Sequence, residues 1–284
     1  MTRPGKLQPA LYLVSTPIGN LEDITLRALR VLKECDLIAC EDTRQTQKLL
    51  NHFGIEKRTL SYHEHNEFTR AAEIAKYLEQ GLAVAVVSDA GTPGVSDPGY
   101  RIVTLALERG ITVVPIPGAS ALLSALVASG LGMDSFRFHG FLPPKSAARR
   151  QMFSEVQNST VTEIYYEAPH RLPESLADLV AALGSSRRVV IAREVTKLHE
   201  EFLRGTAEQV LAQVKERGEV RGEITLLLGR AEKTAPVATD KSIRRRVREL
   251  MKTEGLEERE AMKRLARELG IGKSEIYREM QKSK

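Results

Sequence analysis

Two aspartates, Asp89 and Asp97, bracket the stretch SDAGTPGVSDPG (Ser88 to Gly99), which directly follows the apolar run Leu82 to Val87. Neither helix nor strand tolerates that composition. Glycine lets backbone N–H and C=O groups approach a ligand closely, and proline sets the loop shape in advance. The loop therefore offers main-chain hydrogen bonds and negative charge. It suits a ligand with hydrogen-bonding edges and a positive charge, and it repels a phosphate. No G-x-G-x-x-G and no G-x-x-x-x-G-K-[ST] occurs, so neither a standard dinucleotide fold nor a P-loop is supported. S-adenosylmethionine (AdoMet) joins an adenosine to a sulfonium and carries no phosphate, so it meets these demands.

Two further loops belong with this one. STPIGN (Ser15 to Asn20) and SYHEHN (Ser61 to Asn66) each follow a short apolar run. Strand-like runs at Leu11 to Thr16, Leu37 to Cys40, Arg58 to Tyr62, Leu82 to Val87 and Ile111 to Ile116 alternate with helical patterns. That alternation predicts a mainly parallel sheet covered on both faces. All three loops then leave the carboxyl ends of strands, the edge at which open α/β sheets bind ligands.

PIPG (Pro115 to Gly118) breaks the pattern and marks an expected boundary between domains 1–117 and 118–232. The second domain is read as α/β too. Its strands are expected at Phe136 to Phe141, Val161 to Tyr166, Arg188 to Arg193 and Glu223 to Leu228. Residues 232–240 read as a linker. A helical tail, 241–284, shows apolar residues at helical spacing and a glycine-bearing turn before Ser274, the pattern of a helix-turn-helix.

The net charge of the 284-residue chain is +5. From Asp240 onward 14 Lys+Arg face 9 Asp+Glu, and the preceding residues hold 28 of each sign, so the whole excess lies in the tail. A basic tail points to an anionic partner, nucleic acid being the commonest. Cys35 and Cys40 are the only cysteines, which suits a reducing compartment. No basic segment followed by an apolar core opens the chain, and no apolar run approaches a membrane span. The expectation is a soluble cytoplasmic protein with no membrane partner.

Seven motifs in order carry a resemblance: STPIGNLEDI (15–24), EDTR (41–44), SYHEHN, SDAGTPGVSDPG, PIPGAS (115–120), GFLP (140–143) and YYEAPHR (165–171). The chain resembles the tetrapyrrole methylase-like superfamily and, within it, the ribosomal RNA small subunit methyltransferase I family. The resemblance implies two α/β domains of the tetrapyrrole methylase type with an AdoMet cleft between them, and a homodimer. It implies 2′-O-methylation of a cytidine in the decoding centre of 16S rRNA, on the small ribosomal subunit. The first loop is less glycine-rich than in corrin and porphyrin methylases, which favours the RNA branch. Two other readings are a corrin or porphyrin precursor methylase and a ligand-sensing DNA-binding regulator.

By the same resemblance AdoMet should touch Pro17, Ile18 and Gly19, then Asp89, Gly91, Val95, Ser96 and Asp97. Ser120 and Ala121 should meet it from the domain junction, and Tyr166, Ala192 and Thr225 from the second domain. A ribose hydroxyl is a poor acid and benefits from a base. Glu167, His63 and His170 are the candidates, with a salt bridge from Glu167 to Arg171 or Arg193 as the alternative. Arg44, Lys145, Arg149, Arg150 and Lys197, with Arg244, Arg245 and Arg246 on the tail, are candidate RNA contacts. No metal is expected, because a His-x-His pair at 63 and 65 lacks a third ligand.

Overall fold

The computed structural model describes residues 7–231, 240–269 and 272–281. The chain forms two compact units, Met1–Ala231 and Glu232–Lys284. The expected linker lies, apart from Asp240, outside the described residues, as does the start of the glycine-bearing turn at 270–271.

The first unit holds two sheets. In the first, β1 (Leu11–Val14), β2 (Leu37–Cys40), β3 (Thr59–Ser61), β4 (Val84–Val87) and β5 (Val113–Ile116) run in the order β3-β2-β4-β1-β5. Every pairing is parallel. Each residue of β2 and β4 is buried, as their continuous apolar runs require. Alternate side chains feed opposite faces. Tyr12, Ile38 and Ala85 pack under α1 (Leu26–Glu34) and α2 (Thr43–His52). Leu11, Leu37 and Val84 pack under α3 (Glu67–Glu79) and α4 (Tyr100–Glu108). Pro115 sits on β5, an edge strand, where a missing N–H costs least.

The second sheet contains β6 (Phe136–Phe141), β7 (Thr162–Glu167), β8 (Arg188–Arg193), β9 (Glu201–Thr206) and β10 (Ile224–Leu228), ordered β6-β7-β10-β8-β9. Only β6 and β7 are parallel. One face packs on α6 (Ser146–Glu155), α7 (Leu172–Leu183) and α8 (Ala207–Arg217). The other packs on α5 (Ala121–Ser129) and on Ile18 from the first sheet's leading loop. Strand β9 was not expected. Its EFLRGT sequence is only partly buried and carries neither an apolar run nor a clean alternation. It exists because β8 offers it a full antiparallel ladder.

Helix α8 begins at the expected capping box. Thr206 Oγ1 accepts the Gln209 N–H at 3.3 Å and Gln209 Oε1 accepts the Thr206 N–H at 2.9 Å. Thr206→Ala removes one half of this exchange. It is expected to cost about 1 kcal/mol of unfolding free energy in urea denaturation, with cofactor affinity unchanged.

The described residues of the second unit form three helices, α9 (Asp240–Glu254), α10 (Glu258–Leu269) and α11 (Lys273–Gln281). They close around Ile243, Val247, Met262, Leu265 and Ile276. Arg244 donates to the Met280 carbonyl at 3.3 Å and so ties α9 to α11. Arg245 and Arg246 stay exposed beside Glu249 and Glu268.

Candidate active site

The loops after β1 and β4 are welded to each other. Thr16 and Gly91 exchange backbone hydrogen bonds, N–H to O, at 2.8 and 3.1 Å. The Ser15 and Thr92 hydroxyls meet at 3.0 Å, and Thr16 Oγ1 donates to the Ser88 carbonyl. Thr92 Oγ1 also donates to the Ala119 carbonyl at 3.3 Å, joining the pair to the start of α5. The β4 loop turns through Gly91 and Gly94, both at positive φ, and Ser96 shares that region at φ 62°. A non-glycine residue held there stores strain of about 1–3 kcal/mol, a pattern that clusters at ligand clamps.

Between this loop pair and the second sheet lies a cavity of about 430 Å³, a volume in the range of small-molecule sites. Ten of the thirteen expected cofactor residues line it. Ile18, Asp89, Gly91, Val95, Ser96 and Asp97 come from the first sheet's loops. Ser120 and Ala121 come from the start of α5, and Tyr166 and Thr225 from the second sheet. The other three do not line it. Pro17 is buried, while Gly19 is exposed with the Lys197 side chain standing where a Cβ would go. Ala192 is buried in the cluster beneath Ile18 and Leu122. Register explains its position: Tyr166, Thr225 and Ala192 form one cross-strand row, with Ala192 one strand further from the opening.

Sequence reasoning missed Gly222 and Glu223 on the same wall. The reading looked to the carboxyl ends of strands. Strand β10 runs antiparallel to β7, so its amino end stands beside the carboxyl end of β7. The glycine before that strand was the available signal. Phe141 and the Ala168-Pro169 pair also line the cavity, and both belong to motifs already noted, GFLP and YYEAPHR.

The charge of this region is negative. Asp89 Oδ1 accepts the Asp42 N–H at 3.0 Å. Burial first, then the charges of Glu41 and Asp89, push the Asp97 carboxyl up to about 6, with a hydrogen bond from Ser88 opposing. Burial and the Asp89 charge likewise raise Glu41. Burial and neighbouring negative charge thus hold Asp97 and Glu41 above the usual range, and a cation entering the cavity offsets that charge. Among the described residues no three His, Cys, Asp or Glu side chains gather as a metal site.

The three candidate bases are not equivalent. Glu167 lines the cavity, but its carboxylate is fully engaged. Oε1 accepts the Ala168 N–H at 2.7 Å and pairs with Arg171 at 2.6 Å, while Oε2 accepts the Ser175 hydroxyl. His63 lies off the cavity wall. Its Nε2 is 3.1 Å from Asn66 Nδ2, and its Nδ1 is buried without a partner. His170 is exposed on a 3₁₀ turn after β7.

One candidate RNA contact is corrected. Arg149 is 1% exposed and binds Asp178 at 2.8 Å and the Pro143 and Pro144 carbonyls. It shapes the GFLPP loop from beneath and has no surface to offer a phosphate. Lys197 is partly buried between Glu194 at 2.9 Å and Glu223 at 3.2 Å. Arg44 pairs with Asp42 and Arg150 with Asp178, yet both remain largely in solvent. Lys145 is exposed at the start of α6.

Residues 10–211 match the family described as Tetrapyrrole (Corrin/Porphyrin) Methylases. The chain is 48% identical to ribosomal RNA small subunit methyltransferase I of Halalkalibacterium halodurans, over 94% of this chain and 93% of that one. It is 45% identical to the protein of the same name from Synechocystis, over 94% and 95%. The chain belongs to the ribosomal RNA small subunit methyltransferase I family. Among solved structures, a uroporphyrin-III C-methyltransferase from Thermus thermophilus, complexed with S-adenosylhomocysteine, aligns with TM-score 0.53 and 20% identity. The alignment covers 78% of this chain and 98% of that one, and it places the two sheets in the tetrapyrrole methylase fold. The small subunit methyltransferase I family thus shares its architecture with porphyrin methylases. Among the described residues no helix is long and apolar enough to cross a membrane.

Proposed function

We propose that this protein transfers a methyl group from AdoMet to the 2′-hydroxyl of a cytidine ribose in the decoding centre of 16S rRNA, acting on the small ribosomal subunit in the cytoplasm. The observation that carries the reading is the cavity. Its walls join main-chain donors and acceptors to the carboxylates of Asp89, Asp97 and Glu223, and among the described residues no Lys or Arg lines it. That donor set fits a nucleoside with a sulfonium and disfavours a phosphate.

When bound, AdoMet supplies a methyl on a good leaving group, so catalysis is mostly alignment. Ile18, Gly91 and Ala121 form the apolar and main-chain bed, and the carboxylates compensate the positive charge. Thr92 keeps the β4 loop and the α5 start in register, which holds both walls fixed around the donor. Lys145, Arg44 and Arg150 in the first unit, and Arg245 and Arg246 in the second, offer exposed cations to RNA phosphates, with affinity falling as salt rises. The relatives' names favour RNA over a tetrapyrrole acceptor, since the porphyrin methylases share the fold at low identity only. Leu123, Val127, Met133 and Phe136 leave exposed apolar surface on α5, on β6 and before it, which supports a homodimer.

The decisive assay incubates the protein with methyl-labelled AdoMet and small subunits from cells lacking the enzyme. Label is expected in 16S rRNA at a cytidine ribose. Label in a tetrapyrrole, or in nothing, overturns the reading.

The Asp97 carboxyl makes a further prediction. A sulfonium is held by the ionised form, which is lost as pH falls through about 6. AdoMet affinity, measured by calorimetry, is expected to be flat above that pH. Below it, affinity weakens by up to about tenfold per pH unit. S-adenosylhomocysteine has no sulfonium and should show a shallower dependence.

A further inference from the structure

Two large aromatic side chains at the starts of α3 and α4 are left in water. Phe68, at the start of α3, is 74% exposed, and Tyr100, the first residue of α4, is 81% exposed. Arg101 lies over Phe68 with its guanidinium carbon 4.8 Å from the ring centroid. This cluster is built rather than incidental. Glu67 Oε1 accepts the Tyr62 hydroxyl at 2.9 Å and faces the backbone N–H groups of Gly99 and Arg101 at 3.4 Å. One carboxylate therefore pins the starts of α3 and α4 together and sets the two aromatics at the same edge of the sheet.

That edge adjoins the loop that lines the cavity. Tyr100 follows the cavity-lining Asp97 by three residues, a chain length that spans at most about 11 Å. The SYHEHN loop leads directly into Phe68 and leaves His65 exposed. The cluster offers π faces and a planar cation, with the Glu67 carboxylate engaged by the Tyr62 hydroxyl and the N–H groups that start α4. Unpaired RNA bases are recognised by aromatic rings and arginine planes of this kind.

We propose that Phe68, Tyr100 and Arg101 form a stacking platform for unpaired bases flanking the acceptor nucleotide. The proposal rests on the methyl-transfer reading above. It assigns to the starts of α3 and α4 the task of presenting RNA to the cavity, a task separate from holding the donor. Stacking tolerates base identity, so the platform splays the strand and the acceptor ribose is presented by geometry rather than by base readout.

The test is steady-state methylation of unmethylated small subunits. The Phe68→Ala/Tyr100→Ala variant is expected to raise KM for the subunits at least about tenfold, within the range of one or two lost base stacks. AdoMet affinity should stay unchanged, and Phe68→Tyr with Tyr100→Phe should restore KM. The chain has no tryptophan, so Phe68→Trp places a single indole on the platform. Its emission should be quenched on titration with unmethylated subunits. An unchanged KM without quenching overturns the proposal. So does a variant that loses its native mass by light scattering, because the aromatics would then serve a contact between copies of the chain. Failure of the wild-type protein to label any RNA would instead sink the functional reading itself, and this inference with it.

Discussion

Gly91→Val is expected to weaken AdoMet binding by more than about 100-fold in calorimetry while the protein stays folded. Three local facts combine. Gly91 has φ 81°, a region that a β-branched residue enters only as an outlier. An added Cβ would stand 3.3 Å from Ile18 Cγ2 and 3.7 Å from the Ala119 carbonyl, before valine's two methyls are counted. The Gly91 backbone also exchanges both bonds of the Thr16 bridge. Backbone strain of about 1–3 kcal/mol and the loss of one such hydrogen bond, about 1 kcal/mol, reach the roughly 2.8 kcal/mol that a hundredfold requires. The cost falls on the loop, because the core strand β4 ends at Val87. Gly91→Ala should show a smaller loss of the same kind. Full affinity in the valine variant would mean that the donor binds away from this loop pair.

Much of this site was legible because its determinants are local. The loop from Ser88 to Gly99 announces itself by composition, and the strand before it by an unbroken apolar run. Helix α8 is announced by Thr206 and Gln209, three residues apart. What escaped depends on partners distant in sequence. The burial of Arg149 is decided by Asp178, on another helix, and an arginine near a proline loop reads equally well as a surface cation. Glu223 joins the cavity only because β10 reverses direction relative to β7. Strand β9 has no signal of its own and is templated by β8. Phe68 and Tyr100 are ordinary helical aromatics in sequence. Their exposure and common edge follow from Glu67, which bridges two helix starts more than 30 residues apart.

Glu167 tests how far a residue type can be read as a role. Its motif suggests a base, and it does line the cavity. A base, however, needs a lone pair directed at the substrate proton. Here the Ala168 N–H, the Arg171 guanidinium and the Ser175 hydroxyl occupy both oxygens, and the residue is 2% exposed. Its geometry is that of a strut holding the 168–171 turn against α7, and the turn supplies Ala168 and Pro169 to the wall. Glu167→Ala strands a partly buried Arg171, and breaking a buried pair from one side costs about 3–5 kcal/mol. The expected result is a large drop in melting temperature, with weaker AdoMet binding from a loosened wall. Glu167→Gln keeps the shape and an acceptor oxygen for Arg171. It should be less destabilising and should retain kcat within about tenfold, with an unshifted pH profile, because the group takes no proton. The opposite pattern would be a fully stable Gln variant whose kcat falls by about a thousandfold or more. It would restore the base assignment and require Ser175 and Arg171 to release the carboxylate when RNA binds.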